Sequence, residues 1–202
     1  AVVAKGCDSR SIVSLIQDKQ IKREDVIIIG IPCAGLIDVA KVEKATGRSR
    51  EEIDEIALEG DSVRVRSFSE SRIFPASELL QDNCMNCELP TPQEFNIMLG
   101  EPVLSPVESV VSSELLKKLS NMSPDNRWLF WREEFKRCIR CYACRNVCPS
   151  CFCKRCFVEE TEPQWLLPLP HWQDNLMFQI TRTIHTAGRC SDCGGCDRAC
   201  PV

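Results

Sequence analysis

Cys138-Ile-Arg-Cys141-Tyr-Ala-Cys144-Arg-Asn-Val-Cys148-Pro149 and Cys190-Ser-Asp-Cys193-Gly-Gly-Cys196-Asp-Arg-Ala-Cys200-Pro201 are two copies of one pattern. Each is a C-x2-C-x2-C-x3-C-P run, the spacing with which thiolates hold a cubane 4Fe–4S cluster; where it occurs twice, the fourth cysteine of each run ligates the other run's cluster. The spacing therefore predicts one centre on Cys138, Cys141, Cys144 and Cys200, and a second on Cys190, Cys193, Cys196 and Cys148. Three thiolates two residues apart can wrap one cube in a tight turn that leaves peptide N–H groups to bond the sulfurs, and the proline turns the fourth cysteine away toward the neighbouring cube. A zinc ribbon is the competing reading, but zinc needs only four ligands and pairs a C-x-x-C with a distant C-x-x-C or with histidines. The doubled run implies one-electron transfer.

The chain has 202 residues, enough for one large or two small domains. Its fifteen cysteines would suit a disulfide scaffold, but the number is odd and the spacings are those of cluster ligands. Thiolates kept as metal ligands imply a reducing compartment, so the cytoplasm is expected. The chain opens on Ala1-Val-Val-Ala with no basic region leading into an apolar stretch, and no run approaches the roughly eighteen apolar residues of a membrane span. A net charge of −4 gives no nucleic-acid signal. Both ends read as cut, with sequence expected before Ala1, because a buried strand is an abrupt start and Cys200 is a ligand two residues from the end.

Ala1 to Ala4 reads as a strand, Ser9 to Gln20 as a helix capped by Asp8, and Asp25 to Gly30 as a strand too apolar to have a wet face. Strand, helix, strand is a βαβ unit and predicts a parallel sheet. Glu51 to Gly60 fits either a short helix or a strand. Gly60-Asp61 signals a turn into a half-exposed strand in which Val63 and Val65 alternate with Arg64 and Arg66. Four prolines from Pro90 to Pro106 read as a linker, dividing an α/β domain of residues 1–105 from a second domain of residues 106–202. The latter opens with a helix over Ser112–Leu119. Ser123 and Pro124 are the N-cap and first position of another helix, whose aromatics Trp128, Phe130, Trp131 and Phe135 are expected to shield the centres from water. A Pro-rich insertion and a helix from about Gln173 to Thr183 separate the two runs.

Seven cysteines remain. Cys7 follows the first strand and Cys33 the second, so both stand at the carboxyl edge of a parallel sheet, where ligands bind. Cys84 and Cys87 form a C-x-x-C that can complete four thiolates. The residues alone leave iron–sulfur and zinc both open for this third centre. Gly6, Gly30 and Gly35 suit close backbone approach there. Cys151, Cys153 and Cys156 lack a fourth partner unless His171, His185 or another chain supplies one; otherwise they pack as small apolar residues or shift the ligand register. Arg137, Arg140, Arg145, Lys154 and Arg155 crowd the first run, where they would raise a cluster potential, dock an acidic partner or form a solvated face. There is no phosphate-binding glycine loop and no catalytic constellation.

Gly6-Cys7, Ile29-Gly30-Ile31-Pro32-Cys33-Ala34-Gly35 and Cys84-Met-Asn-Cys87 resemble the C-terminal half of the beta subunits of deazaflavin-reducing hydrogenases and related formate dehydrogenases. Cys7 follows glycine where that family has a Pro-Cys, and the Pro-Cys here is at Cys33. The resemblance covers the first domain, and the two runs resemble two-cluster ferredoxin modules, often fused to such a domain. It implies a third 4Fe–4S cluster on Cys7, Cys33, Cys84 and Cys87, and FAD in a part of the family domain that would precede Ala1. The fold expected is α/β with a partial parallel sheet, followed by an α+β ferredoxin-like two-cluster domain with a helical insertion. The function expected is an electron relay through three clusters, linking a flavin or partner enzyme to a hydrogenase- or formate-dehydrogenase-like catalytic subunit. The alternatives are an FAD-dependent oxidoreductase of a reduced deazaflavin or nicotinamide, and a zinc-stabilised interaction module.

Overall fold

The computed structural model describes residues 1–68, 70–105 and 114–202. Strand β1 (Val2–Ala4), helix α1 (Gly6–Gln17) and strand β2 (Ile28–Gly30) form the expected βαβ unit, with Val3 beside Ile29 in a parallel pair. Helix α1 begins at Gly6 rather than Ser9. Lys5 is its N-cap, and Asp8 is the third helical residue, whose carboxylate accepts from the Lys5 N–H at 3.1 Å and from Nζ at 2.5 Å. An acid at that position reaching back to the cap is one half of a capping box. Cys7 thereby stands in the first turn of a helix instead of in a loop.

The second strand is also shorter than expected. Arg23–Asp25 is a 3-10 turn, and Ile27 is 53% exposed. The sheet has a wet side, contrary to the apolar reading: Val3 is 59% exposed and Ile97 52%. A three-stranded sheet this small lacks the second helical layer that buries both faces of larger parallel sheets.

After helix α2 (Val39–Thr46), capped by the Asp38 carboxylate, strands β3 (Glu55–Glu59), β4 (Ser62–Ser67) and β5 (Glu70–Pro75) make an antiparallel meander. The ambiguous Glu51–Gly60 segment resolves as the 3-10 turn Arg50–Glu52 followed by β3. Val63 and Val65 are buried while Arg64 and Arg66 pair with Glu59 and Glu55 on the outside. Those valines pack with Val42, Ala76, Leu79 and Leu80 of α2 and of helix α3 (Ala76–Leu79) and its C-cap, forming the main apolar cluster. Helix α4 (Asp82–Met85) follows and carries Cys84.

The Pro-rich stretch is not a linker throughout. Strand β6 (Ile97–Met98) lies within it and completes the first sheet, parallel to β2. The Asn96 side-chain carbonyl accepts from the Ile28 N–H at 2.8 Å while the Asn96 backbone N–H donates to the Ile28 carbonyl at 2.7 Å. Pro106, the junction between residues 105 and 106, and the start of the expected helix at Ser112 lie outside the described residues.

Beyond it come α5 (Glu114–Asn121) and α6 (Pro124–Arg137), the latter capped by Ser123 as expected, with Oγ accepting from the Asn126 N–H at 3.3 Å. Short helices α7 (Ala143–Asn146) and α9 (Gly195–Arg198) lie inside the two cysteine runs and pack on each other. Between them α8 (Trp172–Thr186) crosses α6. The aromatics of α6 are largely on the surface: no residue of α6 is buried, and Trp128 is 45% exposed. Trp131 stacks on Phe135 at 5.9 Å, and Trp128 meets Trp172 of α8 edge-on at 6.2 Å. No helix among the described residues is long and apolar enough to cross a membrane.

Candidate metal centres

The two runs repeat their backbone residue for residue. Arg140 and Asp192 take left-handed φ of 50° and 53°, and Tyr142 and Gly194 take 60° and 66°. Each run then enters a single helical turn, α7 or α9, carrying its third cysteine. In the second run the left-handed Asp192 donates its N–H to Cys190 Sγ at 3.4 Å. Three non-glycine residues accept this conformation, an outlay of about 1–3 kcal/mol each that persists only where surrounding structure imposes it.

Helix α8 supports the first run. Asn175 is fully buried, and its Nδ2 donates to the carbonyls of Phe135 at 2.8 Å and Cys138 at 2.7 Å. Gln179 Nε2 donates to Cys138 Sγ at 3.6 Å. Arg182 Nη2 donates to the Cys144 carbonyl at 3.2 Å, and its Nε is buried without a hydrogen-bond partner. Burial opposes the charge of Arg182, but the sulfurs of Cys144, Cys196 and Cys148 outweigh it and hold its pKa up. The guanidinium stands beside α7 of the first run, which packs on α9 of the second. Cys144 has its own pKa raised, by burial first and with Cys138 and Cys196 contributing, while Arg182 works the other way.

The second run packs against the first half of the chain. Arg10 Nη2 donates to the Ser191 carbonyl, Ser11 Oγ donates to Ser191 Oγ at 2.8 Å, and Asn83 Nδ2 donates to the Asp192 carbonyl at 3.2 Å. Arg189 is paired with Asp18 at 2.9 Å. Gly194 faces Asn83 so closely that a Cβ there would lie 2.5 Å from Oδ1.

Cys7, Cys33, Cys84 and Cys87, far apart in sequence, line one cavity of about 470 Å³, together with Cys193 of the second run. Main-chain contacts draw this cavity together. A Cβ on Gly6 would lie 1.7 Å from the Leu89 carbonyl oxygen, so only glycine admits the segment after Cys87. The Cys33 N–H donates to the Pro90 carbonyl at 3.1 Å. Sulfur acceptors are already served: the Gly35 N–H reaches Cys33 Sγ and the Leu36 N–H reaches Cys84 Sγ, both at 3.4 Å. Burial, then Asp8, Cys193 and Cys33, raise the pKa of Cys7 against the pull of Lys5. Burial also raises that of Cys84, with Cys33 and Cys87 adding and the Leu36 N–H opposing. Thiols that resist ionisation in isolation are thiols whose negative charge calls for a cation.

Two observations bear on whether these residues suit iron–sulfur clusters. The donor set is wholly thiol, with N–H groups aimed at sulfur, which suits clusters whose potentials depend on such bonds. Arg182, which donates through Nη2 to the Cys144 carbonyl, keeps its Nε buried without a hydrogen-bond partner, where an anionic group would complete it. Among the described residues no three acidic, histidine or cysteine side chains converge tightly enough to hold a single metal ion.

Other expected positions fall out differently. Cys141 and Cys200 are exposed, and Cys200 Sγ donates to the Val202 carbonyl at 3.4 Å. Cys151 lies against Cys148, and burial and that neighbour push its pKa up to about 11. Cys156 caps a 3-10 turn with Glu159, and Cys153 is exposed. The basic crowd is largely paired: Arg137 with Glu134, Arg145 with Glu159 and Arg155 with Glu160, while Arg140 is buried and donates to the Leu167 and Leu169 carbonyls. His171 is the N-cap of α8 without a side-chain bond, and His185 is an exposed residue touching Phe157. The residues missed by sequence reading are Asn175, Gln179 and Arg182, although their spacing along one helix face was available.

Residues 134–202 match the family described as a 4Fe-4S dicluster domain. This part of the chain is an iron–sulfur electron-transfer domain. Over 260 residues the chain is 25% identical to the F420-dependent formate dehydrogenase subunit beta of Methanocaldococcus jannaschii, covering 100% of this chain and 67% of that relative. Over 252 residues it is 25% identical to the F420-dependent formate dehydrogenase 1 subunit beta of Methanococcus maripaludis, covering 93% and 62%. The chain is homologous to these beta subunits and spans about two thirds of their length.

Proposed function

We propose that this chain is the electron-relay subunit of a formate-dehydrogenase-like complex, passing single electrons through three 4Fe–4S clusters between a flavin or partner enzyme and a catalytic subunit. The observation that carries the reading is the cavity at which Cys7, Cys33, Cys84 and Cys87 meet Cys193 of the second run. A relay needs its centres close together and shielded by protein, and this cavity joins the first half of the chain to one of the runs. In this reading Cys138, Cys141, Cys144 and Cys200 hold one cluster, Cys190, Cys193, Cys196 and Cys148 the second, and Cys7, Cys33, Cys84 and Cys87 the third. The clusters supply reversible one-electron chemistry. The protein supplies the thiolates, the N–H groups at Cys33, Cys84 and Cys190, and a cation at Arg182. Residues 1–105 and 106–202 act as two domains, the first presenting the edge at which FAD of a partner or of a preceding segment would be served. The relatives' printed names support a redox complex as the setting.

The test is iron, acid-labile sulfide, zinc and flavin per chain on anaerobically purified protein. About twelve irons are expected, four per cubane. About eight irons with one zinc would make the third centre, on Cys7, Cys33, Cys84 and Cys87, a structural zinc site, and absence of iron would overturn the reading altogether.

A further inference from the structure

Helix α8 belongs to the insertion between the two runs, and packing alone would account for an apolar helix there. Its inward face carries the buried Phe178 and, beside it, a polar stripe. Asn175, Gln179 and Arg182 stand at i, i+4 and i+7, one stripe on one side of a helix. Each of the three reaches a different part of the metal-binding segment. Asn175 holds the carbonyls of Phe135 and Cys138 and so fixes how deep the helix sits. Gln179 reaches the Cys138 sulfur itself. Arg182 reaches the Cys144 carbonyl and keeps a buried, unpartnered Nε among the described residues.

We propose that α8 sets the reduction potentials of the centres held by the two runs, Gln179 through its hydrogen bond to Cys138 Sγ and Arg182 as a cation shared between the runs. This inference rests on the cluster reading above. Reduction adds one electron to a cluster already anionic with its thiolates. A donor to a ligand sulfur and a nearby positive charge both favour the more negative state, so both raise the potential. Their reach differs. Gln179 touches one cysteine of one run, so its effect falls on one centre. Arg182 donates to the Cys144 carbonyl of α7, which packs on α9 of the second run, so its effect falls on both. Asn175 is a positioning residue for the pair.

The experiment is a dithionite titration followed by electron paramagnetic resonance on the anaerobic full chain, with iron counted on every sample. The variants are Gln179→Leu, Gln179→Glu, Arg182→Gln and Arg182→Lys. Gln179→Leu is expected to lower the reduction equilibrium constant of one centre about tenfold, a fall of about 59 mV for a one-electron couple, and Gln179→Glu to lower it further. Arg182→Gln should lower two centres together, and Arg182→Lys should restore most of the loss because the charge returns. If the parent protein holds its iron and the midpoints of these variants match it, the inference fails while the cluster reading stands. If the parent holds no iron, both fail. Loss of iron from Gln179→Leu with unchanged midpoints in Gln179→Glu would make α8 a clamp only, and would also overturn the inference.

Discussion

Arg140 and Asp192 occupy the same position of the two runs at φ of 50° and 53°, yet one is buried against carbonyls of the insertion and the other offers its carbonyl to Asn83 of the first half. Tyr142 and Gly194 likewise share a left-handed backbone. Tyr142 packs its ring edge-on to Phe178 of α8 at 5.1 Å, while Gly194 lets Asn83 approach where no Cβ would fit. The pattern of four cysteines and a proline specifies the backbone, and the residues between the cysteines specify what each run is pressed against. The first run is enclosed by helix α8 and the second by the edge of the first half of the chain. A repeated motif thus yields two centres with unlike surroundings from nearly identical local geometry.

That contrast can be broken from either side. Asn175→Leu should act on the first run alone. It leaves the Cys138 carbonyl without this donor and takes one donor from the Phe135 carbonyl, which keeps the Cys138 N–H, and a loss of about 1–3 kcal/mol in urea unfolding is expected. Hydrogen exchange should show the Cys138–Cys148 segment opening while the Cys190–Cys200 segment keeps its protection; equal opening of both would mean the runs are one unit. Gly194→Ala should act on the second run, costing about 1–3 kcal/mol because a Cβ must occupy a left-handed site against Asn83. Tyr142→Gly, the matching change in the first run, should stay within about 1 kcal/mol, since relief of the backbone offsets loss of the ring contact with Phe178. The smallest effect is expected from Arg189→Ala. Its partner Asp18 and the guanidinium are both partly solvated, so the loss should be at most about 1 kcal/mol and should shrink in high salt. A larger loss would show that the second run hangs on Arg189, through Asp18, the His185 carbonyl and the Phe152 ring together, instead of on the Ser191 and Asp192 contacts.

Much of this was written in local patterns. The cysteine spacing, the apolar strands of β1 and β2 with an intervening helix, and the alternation of Val63, Arg64, Val65 and Arg66 each carry a period that physics ties to one conformation. The placing of Cys7 and Cys33 at one edge followed from the rule that parallel strands end together, and Cys84 and Cys87 line the same cavity. What escaped has no period. Strand β6 is a two-residue pairing amid prolines, held by the Asn96 side chain. The early start of α1 depends on Lys5 and Asp8 bonding across one turn. The basic crowd looked like a charged face because its acidic partners, Glu134, Glu159 and Glu160, had not been paired with it. The seating of the second run on the first half depends on single contacts such as Ser11 with Ser191, which no window of neighbouring residues contains.

Those long-range contacts also have a timetable. Ser11 and Ser191 are separated by 180 residues. At ribosomal rates of about 5–20 residues per second, the interval between their emergence is about 10–40 s. Cys7 and Cys33 leave the ribosome early in that interval, with Cys193, the thiol that helps enclose their cavity, still to be made. Until the last run is made, the cavity lacks the part of its wall that Cys193 and Asp192 supply.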